Sequence, residues 1–183
     1  MSDYRRYHVP GATYFFTLVT HEHQPILTTE LGRKCLHEAF AKVRRRYPFD
    51  LFAVVLLPDH LHCVWTLPPG DARYPLRWKR IKEDFTERYL AGGGTEGTVS
   101  LSRRKQGERG IWQRRYWEHT VRDEDDLARC VDYVHWNPVK HGLVAAVCNY
   151  EWSSFTRFVA AGDYPIDWGS ASAAEDFPGA EWD

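Results

Sequence analysis

The stretch Ala-Val-Val-Leu-Leu-Pro-Asp-His-Leu-His-Cys-Val-Trp, residues 53–65, contains two apolar runs on either side of a Pro58-Asp59 turn. Valine, leucine and tryptophan at this density favour β-structure, and turn residues separate the two runs. We therefore predict one strand that ends near Leu57 and a second that begins at His60, paired antiparallel.

His60 and His62 are separated by one residue within the second of these strands. Alternate side chains of a strand point to the same face, so the two imidazoles would be directed at one point, as in a metal-chelating site. An arbitrary His-x-His pair more often lies on a solvated strand face. A third ligand and a nucleophile elsewhere in the chain would favour the metal site.

Hydrophobic periodicity predicts the remaining elements. A first strand is expected at Tyr14–Thr20, followed by a helix that Thr28 or Thr29 caps and that ends at Arg46. The order β-α-β-β-α-β followed by a helix predicts an α+β fold, a ferredoxin-like split βαβ antiparallel sheet with an additional C-terminal helix. The later elements are expected at 50–57 (strand), 60–67 (strand), 76–90 (helix), 111–121 (strand) and from Asp123 onward (helix), with a mobile loop at 93–110.

The composition is that of one folded domain, since 183 residues with 43% hydrophobic content can bury a core. We assign residues 1–160 to this domain and residues 161–183 to an acidic C-terminal tail, which has six acidic residues and no lysine or arginine. The remainder is therefore basic, which favours a polyanionic partner. Four cysteines without CxxC spacing, no signal-peptide core and no apolar membrane span indicate reduced thiols and a cytoplasmic location.

Two polar side chains lie one turn apart on the last predicted helix. Tyr133 and Asn137 flank its apolar stripe, so both would face a cleft if this helix packs beside the histidine strand. Pro138 disfavours helical geometry at Asn137, which we therefore expect to be the last helical residue. The alternative for Tyr133 is an aromatic at the edge of the core, and the alternative for Asn137 is a helix-terminating turn.

Two imidazoles, an amide and a phenol together suit phosphoryl transfer. A metal ion held by the imidazoles and the amide oxygen would polarise a phosphodiester, and the oxygen of Tyr133 would attack it to form a covalent intermediate. Tyr116 is the rival nucleophile because Arg114, Arg115 and His119 flank it. It ranks second because a strand position provides no ligand four residues further on.

Several motifs, in matching order, resemble the HUH single-tyrosine transposases and in particular their REP-associated branch. They are Pro58–Trp65 with its His-hydrophobic-His core, Ile111–His119, Val131–Gly142, Tyr4–Tyr7 and Tyr164–Trp168. The resemblance covers nearly the whole chain. It implies a metal-dependent enzyme that cleaves and rejoins single-stranded DNA at repetitive extragenic palindromes.

By position, the resemblance makes His60, His62 and Asn137 the metal ligands and Tyr133 the nucleophile. The reaction would attach the 5′-phosphate to this tyrosine and release a 3′-hydroxyl. The implied cofactor is a divalent metal, Mg²⁺ or Mn²⁺, of which Mn²⁺ suits two nitrogen ligands better. The implied partners are single-stranded DNA hairpins, and no membrane partner is expected. The chain would act as a monomer rather than a dimer.

Cations and aromatic side chains are interleaved in a pattern that suits single-stranded DNA, because phosphates are neutralised while bases stack. A solvated helix face is the alternative interpretation of the cations on the second helix. The residues expected to bind DNA are Arg5, Arg6, Arg73, Arg77, Lys79, Arg80, Lys82, Arg114, Arg115, Tyr116, Trp117 and His119.

Two other functions fit the same sequence. One is a module of this fold that binds single-stranded nucleic acid without catalysis, and the other is a metal-dependent phosphodiesterase that activates water. Replacing Tyr133 with phenylalanine distinguishes them from a strand transferase, since only strand transfer requires the phenol oxygen as nucleophile.

Overall fold

The structure is a computed structural model that describes residues 8–170. Two single 3₁₀ turns, His21–His23 and Val147–Asn149, accompany the strands and helices. The order of these elements is β1 (Thr13–Val19), α1 (Glu30–Arg46), β2 (Asp50–Leu56), β3 (His60–Thr66), α2 (Tyr74–Ala91), α3 (Leu101–Lys105), β4 (Trp117–Thr120), α4 (Glu124–Lys140) and α5 (Phe155–Ala161).

The four strands form one antiparallel sheet in the order β2-β3-β1-β4. β3 lies between β1 and β2, the two strands that α1 connects, which is the split βαβ arrangement. In the β2–β3 hairpin, the Leu57 amide donates to the His60 carbonyl at 2.8 Å. The predicted α+β, ferredoxin-like fold is confirmed.

Strand alternation divides the side chains of β3 between two cores. Leu61, Cys63 and Trp65 pack with residues of α1 and α2 on one face of the sheet. Val64 packs with residues of α4 on the other face. Because His60 and His62 alternate in step with Val64, both histidines lie on the α4 face.

Helix α4 begins at a capped N-terminus and continues past a proline. The Asp123 carboxylate accepts from the Asp126 amide at 2.8 Å, and the acidic first turn complements the helix dipole. The expectation that the helix ends at Asn137 is wrong, because it extends to Lys140 with Pro138 inside it. Pro138 is buried, so the packing of this last turn outweighs the local preference for termination.

The fourth strand is shorter than predicted. It comprises Trp117–Thr120, and the residues before it contribute only isolated pairings to the end of β1, such as the bridge between Thr20 and Trp112. Ile111 and Trp112 are buried in the core between the sheet and the α1–α2 layer. Their apolar character therefore reflects burial under a helix rather than continuous strand pairing.

The segment predicted as a mobile loop at 93–110 has local structure. It contains α3, and an isolated bridge between Gly97 and Gly110 closes its two ends. A Cβ added at Gly110 would lie 2.1 Å from the Gly97 carbonyl oxygen, so this approach requires glycine. The pairing joins residues that are thirteen positions apart, so the short-range periodicity of the sequence could not predict it.

Residues beyond α5 pack on the domain. The Tyr164 hydroxyl donates to the Asp132 carboxylate, and the Trp168 ring stacks on Phe155 with centroids 5.9 Å apart. The division at residue 160 stays a prediction, and residues 171–183 of the tail lie outside the described residues. Across residues 8–170, no helix has the length and hydropathy needed to span a membrane.

Asp126 is fully buried at the first turn of α4 and joins that helix to β4. Its carboxylate accepts hydrogen bonds from the His119 ring at 2.8 Å, from Arg122 at 3.2 Å and from Arg129 at 3.4 Å. Burial acts to raise the pKa of this carboxyl. The hydrogen bonds from Arg122 and His119 outweigh burial and hold the pKa well below its usual value.

Replacing Asp126 with asparagine is expected to lower the free energy of unfolding by about 2 kcal/mol at pH 7, because charge-assisted hydrogen bonds become neutral ones. Since the folded-state pKa is depressed, the carboxylate stabilises the fold above about pH 4, its unfolded pKa. That contribution is lost as the pH falls through the folded pKa. Urea unfolding of both proteins should show the difference narrowing on acidification, and a widening difference would contradict the assignment.

Candidate active site

Three rings meet where β3 passes alongside α4. The imidazoles of His60 and His62 lie 5.0 Å apart between centroids, and the phenol ring of Tyr133 lies 5.2 Å from His62. The ring of His141, the C-terminal cap residue of α4, lies 5.0 Å from His60. The structure therefore brings the predicted nucleophile to the histidine pair and adds a third histidine that the sequence analysis did not assign.

Asn137 occupies the helix position between these two contacts. Tyr133, Asn137 and His141 follow one another at intervals of four residues along α4, and the outer two contact His62 and His60. This register places Asn137 on the helix face that contacts the histidine pair. The residue is fully buried, and within residues 8–170 neither its Oδ1 nor its Nδ2 has a hydrogen-bond partner. A buried amide in this state costs about 1–3 kcal/mol, and an oxygen with these surroundings is suited to coordinating a cation.

Both strand histidines are anchored through Nδ1. The Nδ1 atom of His60 lies 2.7 Å from Asp59 Oδ1, and that of His62 lies 2.9 Å from the Thr17 hydroxyl. Thr17 is the residue opposite His62 in the pairing of β1 with β3. With Nδ1 anchored in this way, Nε2 is the atom of each ring that could coordinate a metal, since outer hydrogen bonds of this kind orient metal-binding imidazoles.

The carboxylate of Asp59 joins two histidines, because its Oδ2 also lies 2.7 Å from Nδ1 of His23. Burial acts to raise the pKa of Asp59, but the hydrogen bonds from His60 and His23 outweigh it and the pKa is lowered. The carboxylate is therefore ionised at neutral pH and can only accept hydrogen bonds. Each ring must donate its Nδ1–H to it.

The phenol of Tyr133 is buried beside a cation. Its hydroxyl accepts from Lys140 Nζ at 3.1 Å, and the same ammonium lies 4.9 Å from the centroid of the ring. An ammonium at this distance would stabilise negative charge on the phenol oxygen if this oxygen acted as a nucleophile. Lys140 follows Tyr133 by seven residues, two helical turns, and this spacing is the sequence signal that could have identified it.

A cleft of about 610 Å³ opens beside His60. Its walls come from β1, the β2–β3 turn and the segment that leads into β4. That segment and the first residue of β4 contribute two aromatic rings, Tyr116 and Trp117, and two polar side chains, Gln113 and Arg115. Stacking surfaces combined with hydrogen-bond donors suit a chain of nucleotides.

Three predicted DNA-binding residues, Arg115, Tyr116 and Trp117, line this cleft. Tyr116, the rival nucleophile, packs against Phe16 and Trp78 with ring centroids 6.1 Å apart in both cases. Those rings belong to the core on the α1–α2 face of the sheet. The direct ring contact between Tyr133 and His62 favours Tyr133 as the nucleophile.

The cations predicted on the second helix lie across the sheet from the candidate site, because α2 packs in the same core as α1. Lys82 contacts a residue of the cleft wall, because its ammonium donates to the carbonyl of Gln113 at 2.6 Å. The others form ion pairs on their own side of the sheet, Arg73 with Asp71 and both Lys79 and Arg80 with Glu83.

Arg77 does not lie on an exposed basic surface, and that expectation is wrong. The residue is 1% exposed, and its guanidinium donates to Asp71 at 3.1 Å and to the carbonyls of Pro48 at 2.7 Å and Tyr47 at 3.3 Å. These contacts attach α2 to the segment after α1. A buried guanidinium needs such partners, and they occupy the groups that a phosphate would contact.

The remaining predicted DNA-binding residues have separate surroundings. Arg114 is largely exposed, with its Nε 3.5 Å from a Glu108 carboxylate oxygen. His119 lies on β4, hydrogen-bonded to Asp126 in the first turn of α4 and stacked on Trp117 with centroids 6.0 Å apart. Arg5 and Arg6 lie outside the described residues.

His119, Asp126 and Cys130 form a second group of potential metal ligands, with ligand atoms all within 4.8 Å of one another. Burial and then the charge of Asp126 raise the pKa of Cys130 to about 12, so the thiol is protonated at neutral pH. Two guanidinium groups, those of Arg122 and Arg129, already pair with Asp126. The group therefore fits a support for α4 better than a cation site.

Three comparisons with known proteins all match this chain to transposases. The family model described as IS200-like transposase matches residues 8–137. A REP-associated tyrosine transposase of Escherichia coli (strain K12) is 42% identical over 182 residues, 99% of this chain and 98% of its own. A relative from Haemophilus influenzae is 41% identical over 169 residues, 92% of this chain and 94% of its own. A solved structure of a REP-associated tyrosine transposase bound to a REP hairpin superposes with a TM-score of 0.76 at 43% identity, covering 92% of this chain and 91% of the other.

Proposed function

The chain belongs to the REP-associated tyrosine transposases within the IS200-like transposase family, and on that premise we propose that it cleaves and rejoins hairpin DNA through a covalent bond to Tyr133. The observation that carries this proposal is the contact of Tyr133 on α4 with His62, the inner member of the histidine pair on β3. The hairpin substrate is proposed because the relative of known structure is bound to a REP hairpin.

A divalent cation, Mg²⁺ or Mn²⁺, would be held by His60, His62 and Asn137. The residues fit such an ion, because both rings are anchored at Nδ1 and the amide of Asn137 is buried without a hydrogen-bond partner in the described chain. Two nitrogen donors favour Mn²⁺ over Mg²⁺. When bound, the cation would supply positive charge to the phosphate oxygens as the transition state forms.

The residues of α4 would carry the bond exchange. The Tyr133 oxygen attacks the phosphorus of the scissile phosphate and forms an O–P bond with it. The bond between this phosphorus and the 3′ oxygen of the preceding nucleotide breaks, so the following strand stays attached to Tyr133 through its 5′-phosphate. The phenol proton passes to solvent, and the departing oxygen takes up a proton to become a 3′-hydroxyl. Lys140, 3.1 Å from the attacking oxygen, stabilises the negative charge on it. Rejoining reverses these steps. No nucleotide cofactor is needed, because the phosphotyrosine linkage conserves the energy of the broken phosphodiester bond.

DNA would enter through the cleft beside His60. Tyr116 and Trp117 offer surfaces on which unpaired bases can stack, while Arg115 neutralises a phosphate. Exposed Arg114 extends this charge beyond the cleft. We propose that the chain acts as a monomer, because Tyr133 contacts His62 of the same chain and the site can therefore form without a tyrosine from a second copy.

The proposal is tested by incubating the protein with a labelled single-stranded hairpin and Mn²⁺, then separating the products by denaturing electrophoresis. The expected result is a band in which labelled DNA stays attached to protein, and a chelator should prevent it. A sequence of equal length without a palindrome is the matched control. Cleaved DNA without any attached protein would contradict the covalent mechanism.

Replacing Lys140 with glutamine is expected to slow adduct formation about a hundredfold, because a charge that stabilises the attacking oxygen is removed. Single-turnover kinetics at saturating hairpin measure this step. Lys79→Gln is the matched control, since Lys79 is an exposed lysine on α2 across the sheet. Equal rates for both variants would exclude Lys140 from the reaction.

A further inference from the structure

His23 is the outer member of a chain of three side chains that ends at the candidate metal site. Its Nδ1 donates to Asp59 Oδ2 at 2.7 Å, and Asp59 Oδ1 accepts from His60 Nδ1 at 2.7 Å. His23 also lines the cleft, where Gln113 Nε2 lies 3.5 Å from its Nε2. Neither His23 nor Asp59 was predicted from the sequence to take part in metal binding or catalysis.

The backbone that presents His23 is strained. Glu22 has φ 52° and His23 has φ 54°, and within residues 8–170 these are the two non-glycine residues with positive φ. Such conformations cost about 1–3 kcal/mol each and persist when the surrounding structure imposes them. Strain of this kind is commonest at functional sites, so the position of His23 needs an explanation beyond loop geometry.

The surrounding structure attaches this turn to the β2–β3 hairpin. The amide and the hydroxyl of Thr20 both donate to the Asp59 carbonyl, at 2.8 and 2.9 Å, and the Leu27 amide donates to the Pro58 carbonyl at 2.9 Å. The Thr20 hydroxyl also lies 2.8 Å from the Gln24 carbonyl, across the turn. Thr20 is fully buried. The turn and the hairpin therefore form one unit that holds His23 against Asp59.

We propose that His23 is a positioning residue for metal binding, acting on His60 through the shared Asp59 carboxylate. With one oxygen held by His23, the carboxylate keeps its other oxygen on His60 Nδ1, and the His60 ring stays oriented with Nε2 toward the cation. Outer hydrogen bonds of this kind contribute to metal affinity without contacting the metal. The inference rests on the proposed function, because it requires that His60 is a ligand.

Three substitutions separate the hydrogen bond from the backbone conformation. His23→Gly accepts a positive φ but removes the donor, whereas His23→Asn tolerates the same backbone and supplies an amide donor. Glu22→Gly relaxes the strain at the neighbouring residue and leaves the chain of three intact. Calorimetric titration of each protein with Mn²⁺ in the absence of DNA measures the metal affinity directly.

We expect His23→Gly to raise the Kd for Mn²⁺ about tenfold, as for other lost outer hydrogen bonds, while His23→Asn stays within about threefold and Glu22→Gly is unchanged. Cleavage by His23→Gly should recover at high Mn²⁺ concentration. A purely structural role would instead lower the melting temperature and leave the Kd unchanged. Should the glycine variant fail to fold, His23→Ala takes its place in the comparison with His23→Asn.

The outcomes distinguish this inference from the proposed function. If the wild-type protein binds no Mn²⁺, or if His60→Ala binds it equally well, the proposed metal site is wrong. If the wild type binds Mn²⁺ through His60 and His23→Gly binds it with the same Kd, the positioning role alone is overturned.

Discussion

Replacing Tyr133 with phenylalanine should abolish the covalent protein–DNA adduct, lowering the rate of cleavage by at least about ten-thousandfold, as removal of a catalytic nucleophile does in other enzymes. The phenyl ring keeps the contacts that Tyr133 makes with His62 and Phe15, so the fold and the cleft remain. Hairpin affinity, measured by fluorescence anisotropy, is expected to stay within about twofold because binding depends on phosphates and stacked bases.

Tyr116→Phe is the matched control for this experiment. Tyr116 lines the cleft but packs against Phe16 and Trp78 on the opposite face of the sheet, so its hydroxyl should be dispensable for adduct formation. Cleavage that persists in Tyr133→Phe without an adduct would indicate a phosphodiesterase that activates water. Hairpin binding by the wild type without any cleavage would indicate a binding module.

Replacing His60 with alanine should lower the cleavage rate about a thousandfold, because a bound cation supplies several kcal/mol of charge stabilisation in the transition state. The same change should weaken Mn²⁺ binding, since one of the proposed ligands and the link to Asp59 are both removed. Rates measured over a range of Mn²⁺ concentrations, together with calorimetric titration, separate loss of affinity from loss of chemistry.

His37→Ala is a suitable control, because His37 is an exposed histidine on α1 and does not lie on the α4 face of the sheet. Its rate and its Mn²⁺ affinity should equal those of the wild type. An unchanged metal dependence in His60→Ala would show that the histidine pair does not hold the ion. Hairpin affinity should be retained in both variants.

The parts of the site that follow from strand and helix periodicity could be predicted from the sequence. Alternation along β3 places His60 and His62 on one face, and a spacing of four residues places Tyr133 and Asn137 on one side of α4. Both patterns depend only on short-range spacing, so they can be recognised in the sequence without knowledge of the fold. That the two faces meet is a tertiary fact, and the family resemblance supplied it in advance.

The parts that depend on distant contacts could not be predicted in this way. Arg77 has the spacing of an exposed helix cation but is buried by the carbonyls of Tyr47 and Pro48, which lie about thirty positions earlier. His23 reaches Asp59 only because a strained turn is attached to the hairpin. The helix continues through Pro138 because its last turn is buried, which outweighs the local preference of the proline.

The proposed reaction attaches the phosphate to Tyr133. Mass spectrometry of the trypsin-digested adduct tests it most directly, because cleavage after arginine and lysine places Tyr133 in peptide 130–140 and Tyr116 in peptide 116–122. We expect the nucleotide to be attached to peptide 130–140, in which Tyr133 is the sole tyrosine. A nucleotide on peptide 116–122, or on any other peptide, would contradict it.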